Sequence, residues 1–329
     1  LLLKKFNNIM KSKNILVVII LSFIFSSNST IISFESANPF SFRDVIKKLD
    51  KQNPQQVFGI LTLPDNIDPN EKVPLIIGVA GSLDWGSHHM EYLEMYQNMG
   101  IATFELQSFK SRNITSTVGT QVEVTTAMMI LDSYRAFETL STHPNIDKNK
   151  VGITGWSLGG GVTLYSAWLP LKNAINKDLQ FAAHLAYYPP CFAIPEDISF
   201  TDSPMHILIG ELDNWVPAKA CEEYVTILQN ENYDINVTVY EDAHHSFDRD
   251  APILTSETAY NFTDCRFTMR KDGALLMNFL KIPMTTPFLQ KLGLSCCAKR
   301  GPQFGGHPES RELAQEFSNN FMRIHLLDN

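Results

Sequence analysis

Residues 155–159 read Gly155-Trp156-Ser157-Leu158-Gly159, with Gly160 and Gly161 directly behind. A serine flanked by glycines at this spacing suits a nucleophile on a tight strand-to-helix turn. Such a turn is strained and leaves no room for side chains on either flank, so Gly155 and Gly159 carry none. It lifts the serine hydroxyl clear of the sheet edge. It also aims the N–H of Leu158, near a helix N-terminus, at the space where negative charge would collect on a substrate oxygen. The chemistry so equipped is attack on a carbonyl.

A serine hydroxyl needs a base, and the base needs an acid to orient it. Behind a serine turn of this kind the acid precedes the histidine in the chain. An apolar run, Met205–Ile209, leads into Gly210-Glu211-Leu212-Asp213-Asn214-Trp215-Val216-Pro217. Asp213 lies in the loop at that run's C-terminal end, where parallel sheets place ligands; Glu211 is the rival acid. Ile235–Glu241 leads into Asp242-Ala243-His244-His245-Ser246-Phe247. Either histidine could be the base, and spacing alone does not choose between them.

The elements that must hold these loops follow a regular alternation. Val57–Leu63, Pro74–Val79, Ile101–Leu106, Val151–Thr154, Phe181–Ala186, Met205–Ile209 and Ile235–Glu241 read as strands. His88–Asn98, Gln121–Leu140, Leu158–Trp168, Ala218–Gln229 and Pro308–Phe321 read as helices, the last with proline at its first position. A short helix is expected from Phe42 to Leu49 within an otherwise unpatterned stretch. Strands alternating with helices imply an α/β fold whose mostly parallel central sheet has helices on both faces. Residues 248–301 break the rhythm. They show a helix near Gly273–Leu280 and no clear strand, and read as an insertion or cap beside the site.

The chain has 329 residues and a formal net charge of −8. An acidic chain without a basic stripe excludes a nucleic-acid binder as the natural reading. Lysines 4, 5, 11 and 13 precede the apolar run Ile15–Phe25, and small polar residues follow to Thr30. That is the order of a secretory signal, expected to occupy residues 1–29 and leave one domain over 30–329. The run is too short to span a bilayer comfortably, so no stable membrane partner is expected beyond the signal itself. Export makes the protein secreted or periplasmic and permits disulfides among Cys191, Cys221, Cys265, Cys296 and Cys297. Cys191 ends one strand and Cys221 lies on the helix after the next, neighbouring elements that bring the two within bonding range. Cys265 has Cys296 and Cys297 as candidate partners, and one thiol must stay over. The histidines lack the accompanying ligands of a metal site, and no cofactor is expected.

Taken together, the motifs around Ser157, Asp213 and the stretch Tyr240–Phe247 resemble the dienelactone hydrolase family of α/β hydrolases, from about Val57 to the C-terminus. Gln107–Arg112 also looks like the family's segment after its fourth strand. The resemblance implies the α/β-hydrolase fold and a catalytic triad of Ser157, Asp213 and His245, because the family's last motif, Ala-x-His-x-Phe, selects His245. Two departures stand out. Named dienelactone hydrolases use cysteine where this chain has Ser157, so their substrate does not carry over. Related members have His-Gly where this chain has Ala80-Gly81-Ser82. The second oxyanion donor is expected to be the backbone N–H of Ser82, with Leu83 next.

The reading that follows is a serine hydrolase that cleaves a small-molecule ester through an acyl-enzyme. A peptidase or an acyltransferase would use the same three groups, whereas a binding protein on this fold would need none of them. Trp85, Trp156 and Trp215 are candidates to line an apolar pocket, with Phe247 beside them. Arg112 has the fork to bind a substrate carboxylate bidentately, but a structural ion pair is the first reading for it.

Overall fold

A computed structural model describes residues 28–328. The expected leader falls outside the described residues up to position 27. The core is an eight-stranded sheet. In chain order its strands and their neighbours are β1 (Ser29–Ala37), α1 (Phe42–Lys48), β2 (Pro54–Thr62), β3 (Val73–Val79), α2 (Ser87–Asn98), β4 (Ala102–Leu106), α3 (Thr126–Leu140), β5 (Ile146–Trp156), α4 (Leu158–Tyr165), α5 (Leu169–Ile175) and β6 (Ala183–Tyr187). The short β7 (Ala193–Pro195) leaves the sheet, and β8 (Met205–Gly210), α6 (Ala218–Asn230) and β9 (Ile235–Tyr240) complete it.

The strands lie in the order β1-β2-β4-β3-β5-β6-β8-β9. All pairs from β4 onward are parallel, while β2 runs antiparallel to both β1 and β4. β3 and β6 are buried at every residue, as strands covered on both faces must be. The two coverings follow from alternation along β5. A side chain at Gly152 would meet Met322 and Leu326 of the C-terminal helices, whereas one at Gly155 would meet the backbone of Gly159 in α4. Strand order reverses between β3 and β5, where Val79 pairs with Gly155. Their C-terminal ends therefore open the crevice in which α/β sheets bind ligands.

Sequence reading missed several elements, among them one strand of the central sheet and two helices. β1 is built from STIISFESA, whose serines and exposed Ile31 blur the alternation although Phe34 and Ser36 point inward. α5 follows α4 after a break at Ser166–Trp168. The third is a helix, α7 (Pro287–Leu294), capped by the Thr286 side chain, which accepts from the N–H of Leu289 at 3.3 Å. α3 begins at Thr126 rather than Gln121, because the Thr125 hydroxyl caps it and Gln121 adopts φ 59°.

The expected helix near Gly273–Leu280 does not form. Phe267–Met269 pairs in parallel with β7 and antiparallel with Leu275–Leu276, and Gly273, at φ 83°, turns the chain between them. Nor does the segment lack strands: Leu254–Thr255 pairs with Gln303–Phe304 and Tyr260–Asn261 with Lys299–Arg300. These two- and three-residue ladders are too short to leave a periodicity in the sequence. Cys265–Cys297 and Cys191–Cys221 form disulfides, and Cys296 is free and exposed.

Candidate active site

Ser157 sits between β5 and α4 with φ 55° and ψ −112°, a conformation costly for any residue with a Cβ. The turn is held by its own N–H, which donates to Tyr187 O at 2.9 Å, and by its carbonyl, which accepts from Gly161 N at 3.0 Å. The flanking glycines are required: a Cβ at Gly155 would lie 2.2 Å from Gly159 O, and one at Gly159 would lie 2.1 Å from Val79 O.

Asp213 and His245 come from the loops after β8 and β9. One oxygen of Asp213 accepts the N–H groups of Trp215 and Val216, both at 2.9 Å, which fixes the carboxylate's plane. The other lies 2.7 Å from His245 Nδ1, and His245 Nε2 lies 2.9 Å from Ser157 Oγ. An ionised carboxylate only accepts, so Nδ1 carries the ring proton and Nε2 is left to accept from the serine hydroxyl. The imidazole is fixed between two rings, Trp215 at 4.9 Å and Tyr188 at 4.7 Å. Carboxylate and imidazole are almost wholly buried, so bulk water does not compete for these hydrogen bonds. The rivals lie elsewhere. Glu211 is exposed and accepts only from Asp242 N, and His244 takes no part in the chain of hydrogen bonds.

The loop after β3 lies against the serine: a Cβ at Gly81 would be 3.5 Å from Ser157 Cβ. Ser82 carries its side chain against Gln121 and its carbonyl accepts from Thr117 N. The N–H groups of Ser82 and Leu158 have no acceptor among the described residues. Leu83 is 45% exposed, on the solvent side of the same loop.

The sequence profile of the dienelactone hydrolase family matches residues 94–265, more than half of the chain and all of Ser157, Asp213 and His245. The chain belongs to the dienelactone hydrolase family. It is accordingly a hydrolase acting on ester bonds, a lactone being a cyclic ester. The family match begins after the Ala80–Leu83 loop. Among solved structures it is similar to a dienelactone hydrolase-like promiscuous phosphotriesterase from metagenomic libraries, at 12% identity and TM-score 0.57, over 91% of this chain and 99% of that one. It is also similar to a thermophilic esterase of Thermogutta terrifontis, at 17% identity and TM-score 0.47, over 65% of this chain and 86% of that one. No curated protein matches it.

In this family member the expected pocket residues separate. Trp215 lines a cleft beside Ser157, and Trp156 and Trp215 line a smaller recess over it. Trp85 lines neither; its indole N–H donates to Leu106 O at 3.0 Å and its ring packs on Trp156 and His89. Phe247 is fully buried against Tyr188 and Tyr240. Arg112 does not reach the site. It clamps the buried Asp132 with both terminal nitrogens, at 2.7 and 3.0 Å, and also donates to Ser108 O, Ala37 O and Asn38. Breaking a buried pair leaves an uncompensated charge, so Arg112→Met is expected to cost about 3–5 kcal/mol in urea unfolding. A loss under about 1 kcal/mol would mean that Asp132 does not depend on this partner.

The cleft's remaining walls were not legible in the sequence. Phe42 comes from α1, Phe192 directly follows Cys191, and Phe262, Phe267, Leu275, Met284 and Leu294 come from residues 248–301. Only the burial of these residues against distant parts of the chain marks them, and periodicity does not report that.

Asp248 is a further buried acid behind the site. Tyr188, whose ring edge faces His245, donates its hydroxyl to Asp248 Oδ1 at 2.9 Å, while Oδ2 is buried without a partner. Burial pushes the Asp248 carboxyl up to about 6. The folded state then holds a proton that the unfolded chain gives up, so this group's contribution to stability is complete below about 3.8 and is lost as pH rises through about 6. At most about 3 kcal/mol is involved. The melting temperature of Asp248→Asn relative to wild type is therefore expected to be higher at pH 8 than at pH 4. An equal offset at both pH values would show that Asp248 titrates as an ordinary carboxylate.

Proposed function

We propose that the protein is a serine esterase that hydrolyses a small-molecule ester through an acyl-enzyme on Ser157. The observation that carries this reading is the hydrogen-bonded series Asp213–His245–Ser157, with the N–H groups of Leu158 and Ser82 nearby and without an acceptor among the described residues.

In the forward step His245 Nε2 takes the Ser157 proton as Oγ attacks the ester carbonyl. Asp213 holds the imidazolium that results and keeps the ring in the productive orientation. The N–H groups of Leu158 and Ser82 receive the oxyanion. His245 then protonates the departing alcohol, and a water activated by the same ring releases the acid. No cofactor enters the scheme. Two disulfides suit an oxidising compartment, and with the leader-like sequence before residue 30 they support export. Among the described residues no helix is long and apolar enough to cross a membrane.

The experiment is covalent trapping. A fluorophosphonate should add once, on the peptide containing Ser157, and prior incubation with an ester substrate should protect it. Adduct on the Ser157→Ala variant would remove the nucleophile assignment. Parallel assays on p-nitrophenyl esters and aminoacyl anilides test the bond class, and cleavage confined to the anilides would replace esterase by peptidase.

A further inference from the structure

Two spaces meet at Ser157, and they differ in chemistry. The larger, a solvent-open cleft of about 160 Å³, is bordered by Ser157, Leu158 and Ser82 but not by His245. Its walls are mostly aromatic and aliphatic, and no Asp, Glu, Lys, Arg or His lines it among the described residues. The smaller, about 20 Å³, holds His245 together with Asp84, His89 and Arg249.

The position of the imidazole orients the substrate. The ester C–O bond breaks only as the leaving oxygen takes the proton that His245 removed from Ser157, so that oxygen must lie within hydrogen-bond reach of Nε2. The alcohol portion therefore occupies the side on which His245 opens. The acyl portion, still bonded to Ser157 with its carbonyl oxygen against the N–H groups of Leu158 and Ser82, extends the other way. Water then adds to the acyl carbon, the bond to Oγ breaks, and the proton returns to Ser157 through His245.

We infer that the substrates are esters of uncharged, elongated apolar acids with small alcohols, the acid chain lying in the cleft between Phe42 and the residues Phe267, Leu275, Met284 and Leu294. This rests on the esterase reading and names its substrate class. A carboxylate or ammonium on the acid would enter the cleft without a partner and lose its hydration, which disfavours acids that carry a second charge.

The test uses two mirrored series on the wild-type protein, all below their aggregation limits: methyl acetate, butanoate, hexanoate and octanoate, and methyl, butyl, hexyl and octyl acetate. Burial of each methylene is worth at most about a fourfold gain, so kcat/KM should climb by at least about tenfold along the acid series. It should stay level or fall along the alcohol series. Monomethyl suberate, with a terminal carboxylate on an octanoate-like chain, should be a poorer substrate than methyl octanoate by more than about tenfold. In Leu294→Trp, which fills the cleft, the octanoate-to-acetate ratio of kcat/KM should drop by about tenfold or more. A flat acid series, or a rise with the alcohol instead, overturns the inference whatever the variant does. If fluorophosphonate still labels Ser157 in that case, the esterase reading survives. If Ser157 is not labelled and no ester turns over, both fall together.

Discussion

Ser157→Ala is expected to lower kcat for ester hydrolysis by about four to six orders of magnitude, with the protein still folded. The hydroxyl is the only group of the triad that bonds to substrate carbon, and without it the scheme has no covalent route. What remains is whatever rate the oxyanion donors and substrate positioning give to direct attack by water. The same position carries a backbone signature that separates chemistry from folding. Ser157 holds φ 55° and ψ −112°, and alanine inherits that strain. Glycine does not, so Ser157→Gly should be as inactive as Ser157→Ala yet unfold at a higher temperature, the strain being worth roughly 1–3 kcal/mol. Steady-state kinetics with thermal melts of the three proteins check both statements. A Ser157→Ala protein within tenfold of wild type would place the nucleophile elsewhere.

Asp213→Asn is expected to cost about 10⁴-fold in kcat, with KM little changed. The reason lies in the hydrogen bonds around the carboxylate. Oδ1 accepts two backbone N–H groups, from Trp215 and Val216. An asparagine must keep its oxygen there, so its NH₂ faces His245. The ring can then only accept at Nδ1, its proton moves to Nε2, and Nε2 no longer accepts from Ser157. The side chain stays in place, but the wrong tautomer is held. Glu211→Gln is the matched control, because Glu211 is exposed and bonds only the Asp242 amide. Its kcat should stay within about twofold of wild type. Equal losses in the two variants, or a larger one in Glu211→Gln, would reassign the acid.

Much of the site could be read from the chain because its parts are local. The serine turn is specified largely within five residues, Gly155 packing against the backbone of Gly159, although Gly159 in turn lies against Val79 at the end of β3. Apolar runs buried on both faces, such as β3 and β6, carry their own signature. Choosing His245 over His244 was different. Both follow β9 by a few residues, and only the resemblance to a family motif separated them. The geometry distinguishes them by which ring lies between Trp215 and Tyr188.

The parts left open or misread depend on partners far away in sequence. Arg112 looks the same from the chain whether it awaits a substrate or holds Asp132, and only the fold brings Asp132 beneath it. β1 is a strand because β2 pairs with all nine of its residues, while its own composition is that of a polar connection. The segment after β9 owes its shape to ladders of two or three residues and a cross-link between Cys265 and Cys297. Interactions of that kind are distributed over the tertiary structure, so no window of sequence contains them.

The Cys265–Cys297 cross-link has a bearing on what the protein discriminates. It joins the stretch that carries Phe262 and Phe267 to the stretch just after Leu294, which are opposing sides of one apolar wall. The loops bearing Ser157, Asp213 and His245 lie outside the loop it closes, whose ends are 32 positions apart, and are anchored to the ends of β5, β8 and β9. Reactivity and selectivity thus have separate mechanical supports. If the acid preference resides in this wall, reducing the bond should narrow the preference among acid chain lengths while the Asp213–His245–Ser157 hydrogen bonds, held by other elements, remain.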